Sequence, residues 1–210
     1  MSKTLHLPKL YAILDVTCFA PQLRTTNSIV EFARDLAEGG ITLLQYRNKE
    51  GDTRQMLAHA REIKRVLQGK VKLIMNDRAD VCVAMGYDGV HLGQDDLPAD
   101  GARLVVGERI VGVSTHSTPQ VKEADATSAD YIAIGPVFPT TGKKNPDALV
   151  GLEGVRKARA ATKKPLVAIG GITRQNAKAV IEAGADSVAV ISDLLSSPRR
   201  VAEEFLRLLV

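Results

Sequence analysis

Eight short apolar runs, separated by longer amphipathic stretches, limit the fold more than any other feature of this sequence. The runs are 10–15 (LYAILD), 41–47 (ITLLQYR), 72–76 (KLIMN), 89–93 (GVHLG), 110–115 (IVGVST), 131–136 (YIAIGP), 166–171 (LVAIGG) and 187–192 (SVAVIS). Their near-continuous apolar character is that of strands buried on both faces. Between them the period changes to that of a helix. Over 28–38, Ile29, Phe32, Ala33 and Leu36 form one apolar face while Glu31, Arg34 and Asp35 point away. Further helices are predicted near 53–68, 79–85, 98–105, 118–126, 151–162, 173–183 and 198–209, and Gly39, Gly69, Gly86 and Gly184 fit helix C-terminal caps.

Strands alternating with helices predict a parallel sheet covered by helices, and eight of them predict an α/β chain closed into a (β/α)8 TIM barrel, one domain over 1–210. An open doubly wound sheet is the alternative, although its usual strand count is lower. In a barrel the C-terminal strand ends converge on one face, so polar residues placed there become candidates for a site.

Composition removes several other classes. With 45% hydrophobic and 25% charged residues and no low-complexity tract, the chain has the make-up of a folded domain. No apolar run approaches the roughly 20 residues of a membrane helix, and MSKTLHLPKL lacks a signal-peptide core, so a cytoplasmic protein without a membrane partner is expected. Cys18 and Cys82 have neither CxxC nor zinc-type spacing. A net charge of +4 suits anionic ligands, but the basic residues are mixed with acids, and four Phe, four Tyr and no Trp offer little for base stacking. No nucleic acid partner is expected. Small-molecule substrates are, and a homo-oligomer is left open.

The expected strand ends carry Gln45, Arg47 and Lys49; Asn76 and Asp77; His91, Gln94, Asp95 and Asp96; and Ser114, Thr115 and His116. After the sixth strand a long loop, GPVFPTTGKKNPD, brings Thr140, Thr141, Lys143 and Lys144. Taken alone, NDR or QDD is more often a helix cap or exposed turn than a ligand set. Brought together at adjacent strand ends, Asp77 and one of Asp95 or Asp96 would offer hard oxygen ligands suited to Mg2+. Arg47, Lys49 and Lys143 would neutralise phosphate oxygens, and Ser114 could donate a further hydrogen bond. Gly170-Gly171 and the AVIS run (189–192) mark a second anion site, where backbone N–H groups could approach a phosphate. Two anion sites in one cavity imply two charged substrates or one long one. His91 is equally readable as a satisfied core histidine, and His116 is ambiguous in the same way.

The motifs QYRNK, NDR, DGVHLGQDD, GVSTH, GPVFPTTGKK, AIGGIT and VAVIS occur in this order over nearly the whole chain, which resembles the thiamine-phosphate synthase family. The resemblance implies a (β/α)8 barrel that condenses 4-amino-5-hydroxymethyl-2-methylpyrimidine diphosphate with a thiazole phosphate, or its carboxylated form, releasing diphosphate and giving thiamine phosphate. It implies that Gln45, Tyr46, Arg47, Asn48, Lys49, Asn76, Ser114 and Lys143 bind the pyrimidine diphosphate. Arg47, Lys49, Ser114 and Lys143 would serve catalysis. Asp77 and Asp96 would hold Mg2+. Thr140, Thr141, Gly142, Gly171, Ile191 and Ser192 would hold the thiazole phosphate. One departure is Pro139-Thr140-Thr141-Gly142-Lys143, where the family pattern reads Pro-Thr-x-Thr-Lys; a hydroxyl contact at 142 is thereby lost. The implied mechanism is dissociative, with electrostatic stabilisation of the departing diphosphate and attack by the thiazole nitrogen on the pyrimidine methylene carbon. Rival expectations are a thiazole tautomerase on the same barrel, with His116 as its proton-transfer group, and a non-catalytic binder of thiazole or thiamine phosphate.

Overall fold

The computed structural model describes residues 5–140 and 148–210. Its strands are β1 Leu10–Asp15, β2 Leu43–Arg47, β3 Lys72–Asn76, β4 Gly89–Leu92, β5 Ile110–Thr115, β6 Tyr131–Ile134, β7 Leu166–Ile169 and β8 Ser187–Val190. All pair in parallel with their sequence neighbours, and β1 pairs with β8, so the sheet closes. The (β/α)8 barrel is therefore the observed fold, and the open-sheet alternative fails. The helices are α1 Thr26–Glu38, α2 Thr53–Leu67, α3 Ala79–Met85, α4 Ala99–Val106, α5 Thr118–Asp125, α6 Gly151–Ala161, α7 Ala177–Glu182 and α8 Pro198–Leu208. Among the described residues no helix is long and apolar enough to cross a membrane.

The alternation of side chains along each strand divides the core in two. Outward residues such as Leu10, Ala12, Leu14, Leu44 and Tyr46 pack under the helices, while Tyr11, Ile13, Leu43, Ile74, Tyr131, Ala133, Val167 and Ala189 fill the lumen. Helices begin where side chains can accept the first N–H groups: Thr25 Oγ1 accepts from Ser28 (3.2 Å) and an Asp52 carboxylate oxygen from Gln55 (2.7 Å). Of the expected glycine caps, Gly86 ends α3 in the left-handed conformation, whereas Gly39 ends α1 with φ −72°. Gly69 and Gly184 lie one residue beyond the caps of α2 and α7.

The N-terminal face is fastened by one repeated device. Asp88, Asp130 and Asp186 directly precede β4, β6 and β8, and each accepts a backbone N–H of the preceding strand, from Leu73 (2.7 Å), Val111 (2.7 Å) and Leu166 (2.8 Å). Arg103 pairs with Asp130 at 2.6 Å and Arg159 with Asp186 at 2.8 Å. These carboxylates hold strand to strand far from the opposite rim.

Four strands stop earlier than the sequence predicts. Gly93, Gly135-Pro136, Gly170-Gly171 and Ile191-Ser192 lie past the last paired residues, because pairing ends with the neighbour's register and not with the apolar run. The seventh helix starts at Ala177, not near 173. Before it, the N–H groups of Thr173 and Arg174 are taken by the side chains of Asn176 (2.9 Å) and Asp193 (2.9 Å), which fold that stretch as a loop.

Candidate active site

The C-terminal strand ends surround a cavity of about 540 Å³ lined by Gln45, Arg47, Asn76, His91, Ser114, Thr140, Gly171, Ile191 and Ser192 among others. These nine predicted candidates thus meet in one space. Register explains why: Asp15 lies beside Arg47, Gln45 beside Ile74, and Asn76 beside His91, so inward residues of successive strands reach the rim together.

Two members of the QYRNK run face elsewhere. Tyr46 alternates outward and is fully buried under α2, where its hydroxyl meets His59 Nδ1 at 2.9 Å. Asn48 hydrogen-bonds Gln55 Oε1 (3.2 Å) and Tyr46 Oη (3.3 Å) and accepts from the Gly51 N–H (2.8 Å). Neither side chain lines the cavity; both support the β2–α2 turn. Arg47, by contrast, is held by an ion pair with Asp15, a carboxylate only 3% exposed that also accepts from Thr17 N (3.0 Å) and Oγ1 (2.7 Å). The guanidinium thereby enters the cavity pre-aimed. Asp15 was not singled out in the sequence, although alternation from Tyr11 and Ile13 places it inward.

Beside this pair lies a cluster of Lys49, Asp77 and Asp96. Lys49 Nζ forms an ion pair with the Asp77 carboxylate. Asp77 sits just past β3 with φ +61°, a left-handed conformation that Asp tolerates better than most residues, and its N–H donates to His91 O at 2.7 Å. Burial and a hydrogen bond with Asp96 push the Asp77 carboxyl up to about 6, against the opposing pull of Lys49. Burial would raise Asp96 too, but the bond to Asp77 and the Gly93 N–H at 2.7 Å outweigh it and hold Asp96 below its ordinary range. Two carboxylates so placed resist joint ionisation, so the pair keeps a proton below about pH 6. Asp95 is exposed. The choice between the acids is therefore decided in favour of Asp96 as Asp77's neighbour, and this pair is the donor set that could hold a hard divalent cation.

On the adjacent strand His91 is almost fully buried and both its nitrogens are engaged, Nδ1 with Tyr131 Oη and Nε2 with Ser114 Oγ, each at 2.9 Å. Burial lowers its pKa to about 4, so the imidazole is neutral at physiological pH. Burial also raises Tyr11 and Tyr131 well above the ordinary phenol value, keeping both hydroxyls protonated. His116 Nδ1 meets Gly135 O at 2.6 Å.

The side formed by β6, β7 and β8 is different in kind: Ala133, Val167, Ile169, Ala189 and Ile191 give an apolar wall, and Gly170 and Gly171 have φ of +101° and +62°. A Cβ on Gly171 would lie 2.5 Å from Pro139 O, so glycine is required there both by conformation and by space. Among the described residues, the N–H groups of Gly171, Ile172 and Ser192 have no protein acceptor. They are donors open to an anion. The predicted Thr141, Gly142 and Lys143 lie outside the described residues.

The family model described as thiamine monophosphate synthase matches residues 11–194. A thiamine-phosphate synthase of Koribacter versatilis is 57% identical over 210 residues, covering 100% of this chain and 99% of that protein. One from Chloroflexus aurantiacus is 42% identical over 175 residues, covering 83% and 80%. Among solved structures, thiamine phosphate pyrophosphorylase from Pyrococcus furiosus superposes with a TM-score of 0.83 at 35% identity, covering 96% of this chain and 95% of that one. With the barrel and its rim as described, the chain belongs to the thiamine monophosphate synthase family of transferase enzymes.

Proposed function

We propose that the cavity condenses 4-amino-5-hydroxymethyl-2-methylpyrimidine diphosphate with a thiazole phosphate and releases diphosphate and thiamine phosphate, with Mg2+ held by Asp77 and Asp96. The observation that carries this reading is a cavity with Arg47 on one side and an apolar wall edged by backbone donors at Gly171 and Ser192 on the other, with the Lys49, Asp77 and Asp96 cluster on the same strand-end rim although outside the cavity lining. A diphosphate matches the first and a thiazole ring with its phosphate the second.

The residues then have separate tasks. Gln45 Nε2 is spent on Tyr11, leaving Oε1 to accept from the exocyclic amino group of the pyrimidine. Arg47, fixed by Asp15, and Lys49 meet diphosphate oxygens, and Ser114 donates to another. Asp77 and Asp96 would hold Mg2+, which would supply neutralisation of negative charge on the departing diphosphate. The bond between methylene carbon and diphosphate oxygen breaks with its electron pair leaving on diphosphate. The aminopyrimidine delocalises the resulting positive charge, and the thiazole nitrogen, held against the apolar wall, supplies the pair for the new C–N bond. The chain's contribution is orientation and fixed charge.

A tautomerase would need a proton-transfer group facing the thiazole. His91 is neutral with both nitrogens bonded, and among the described residues His116 does not line the cavity. A passive binder would gain nothing from two crowded carboxylates. The test is a product assay with both substrates, with and without Mg2+. Thiamine phosphate formed only with the metal is expected; none from folded protein that still binds thiazole phosphate would reject the reading.

A further inference from the structure

Five side chains from five strands join in one hydrogen-bonded row across the lumen. Gln45 Nε2 donates to Tyr11 Oη at 2.9 Å, the Tyr11 and Tyr131 hydroxyls are 3.0 Å apart, and Tyr131 Oη, His91 and Ser114 Oγ follow at 2.9 Å each. The Tyr131 ring can cross there because β5 carries Gly112, where a Cβ would lie 2.0 Å from Tyr131 Cζ. The ring also stacks on His91 with centroids 5.6 Å apart.

Each interior member, a hydroxyl or a neutral imidazole, has only one hydrogen to give along the row. No interior member can donate both ways, so a Gln45 that accepts forces every bond to reverse, and a His91 that donates to Ser114 requires Gln45 to donate. In the first direction Gln45 donates, Tyr11 donates to Tyr131, Tyr131 to His91 Nδ1, and His91 Nε2–H to Ser114, whose own hydrogen is left for the cavity. In the second, every bond reverses: Gln45 accepts through Oε1, and Ser114 gives its hydrogen to His91 and shows the cavity only lone pairs.

We propose that this row is a polarity lock, in which Tyr11, Tyr131 and His91 are positioning residues that tie the amide orientation of Gln45 to the hydroxyl direction of Ser114. The inference rests on the reading of the cavity given above. An aminopyrimidine diphosphate offers an amino donor to Gln45 and an anion to Ser114, and both ends call for the first direction. An analogue with an acceptor in place of the amino group turns the Gln45 amide and, through the row, turns the Ser114 lone pairs toward the diphosphate. Discrimination at the ring is thereby felt at the leaving group.

The direction is recorded in the His91 tautomer, which 15N NMR of the imidazole nitrogens reads, with His91→Gln assigning the signal. In wild-type protein with Mg2+ and inorganic diphosphate we expect Nε2–H. Gln45→Glu at mildly alkaline pH can only accept, so it should convert His91 to Nδ1–H and weaken inorganic diphosphate binding. Part of that weakening is direct charge repulsion. In a Tyr131→Phe background, where the row is cut, the loss caused by Gln45→Glu should be smaller by about tenfold, the worth of one hydrogen bond to a charged group. Tyr131→Phe keeps the ring, and a merely structural role would give equal losses in the two backgrounds. Equal losses, or Nε2–H persisting in Gln45→Glu, would overturn the proposal. Neither readout involves product, so a protein that made no thiamine phosphate would count against the functional reading alone.

Discussion

Asp88, Asp130 and Asp186 on one barrel face and the Asp77–Asp96 pair on the other are used in opposite ways, although Asp96 also accepts the Gly93 N–H. At the N-terminal face Asp88, Asp130 and Asp186 each accept a strand N–H, and two of them also hold an arginine. At the C-terminal face Asp77 and Asp96 are set against each other, where burial and that contact push Asp77 up to about 6, with Lys49 alongside. The same side chain stabilises the fold where its charge meets donors of the chain itself, and stores repulsion where it waits for a charge from outside. The contrast predicts that substitutions on the two faces separate stability from turnover.

The largest effect belongs to Asp96→Ala. Thiamine phosphate formation should fall by about 10²–10³-fold, the usual consequence of losing one group that stabilises developing charge, with melting temperature unchanged or slightly raised. Loss of stability in place of activity would break the comparison. Arg47→Met sharpens it, because Arg47 is a rim residue whose partner Asp15 is buried. Leaving that carboxylate without its counter-charge should lower unfolding free energy by about 3 kcal/mol in denaturant titrations, in addition to impairing catalysis. Asp186→Ala, at the opposite face, should cost about 1–2 kcal/mol by the same titration while kcat and KM stay at wild-type values. The half-exposed Arg159–Asp186 pair is screened by solvent, hence the smaller figure.

The smallest effect is a pH dependence. Asp77 in the folded protein is raised to about 6, above the ordinary value of about 4 for a free Asp. Its protonated form is the one the fold favours. The associated stability is complete below the unfolded value and is lost as pH rises through the folded one. Metal-free protein should therefore lose about 1–2 °C of melting temperature across that window relative to Asp77→Asn, the opposing shift of Asp96 and solvent screening keeping it small. A rise over the same window would contradict the crowded pair.

Much of this was legible in the sequence because strand period and charge are written in side chains. The eight strands, their order and the inward set Gln45, Arg47, Asn76 and Ser114 follow from apolar runs and their polar ends. Within QYRNK a period of two sends Tyr46 outward whenever Gln45 and Arg47 point in. Tyr11 and Tyr131 look like core aromatics, and they are, but their hydroxyls meet only when β1 and β6 face each other across the lumen. Gly112 was silent too, since a glycine in a strand does not say which ring fills its space. The start of α7 depended on Asn176 and Asp193 capturing backbone donors, a competition that helical periodicity does not record.

In the proposed site Asp77 and Asp96 exchange a proton for a divalent cation near pH 6. Calorimetric titration of Mg2+ into ligand-free protein near pH 6, in two buffers of different ionisation enthalpy, measures that exchange directly. Binding with release of up to about one proton is expected in wild-type protein and with none in Asp77→Asn. Binding of equal strength in both proteins, with no proton released from either, would contradict it.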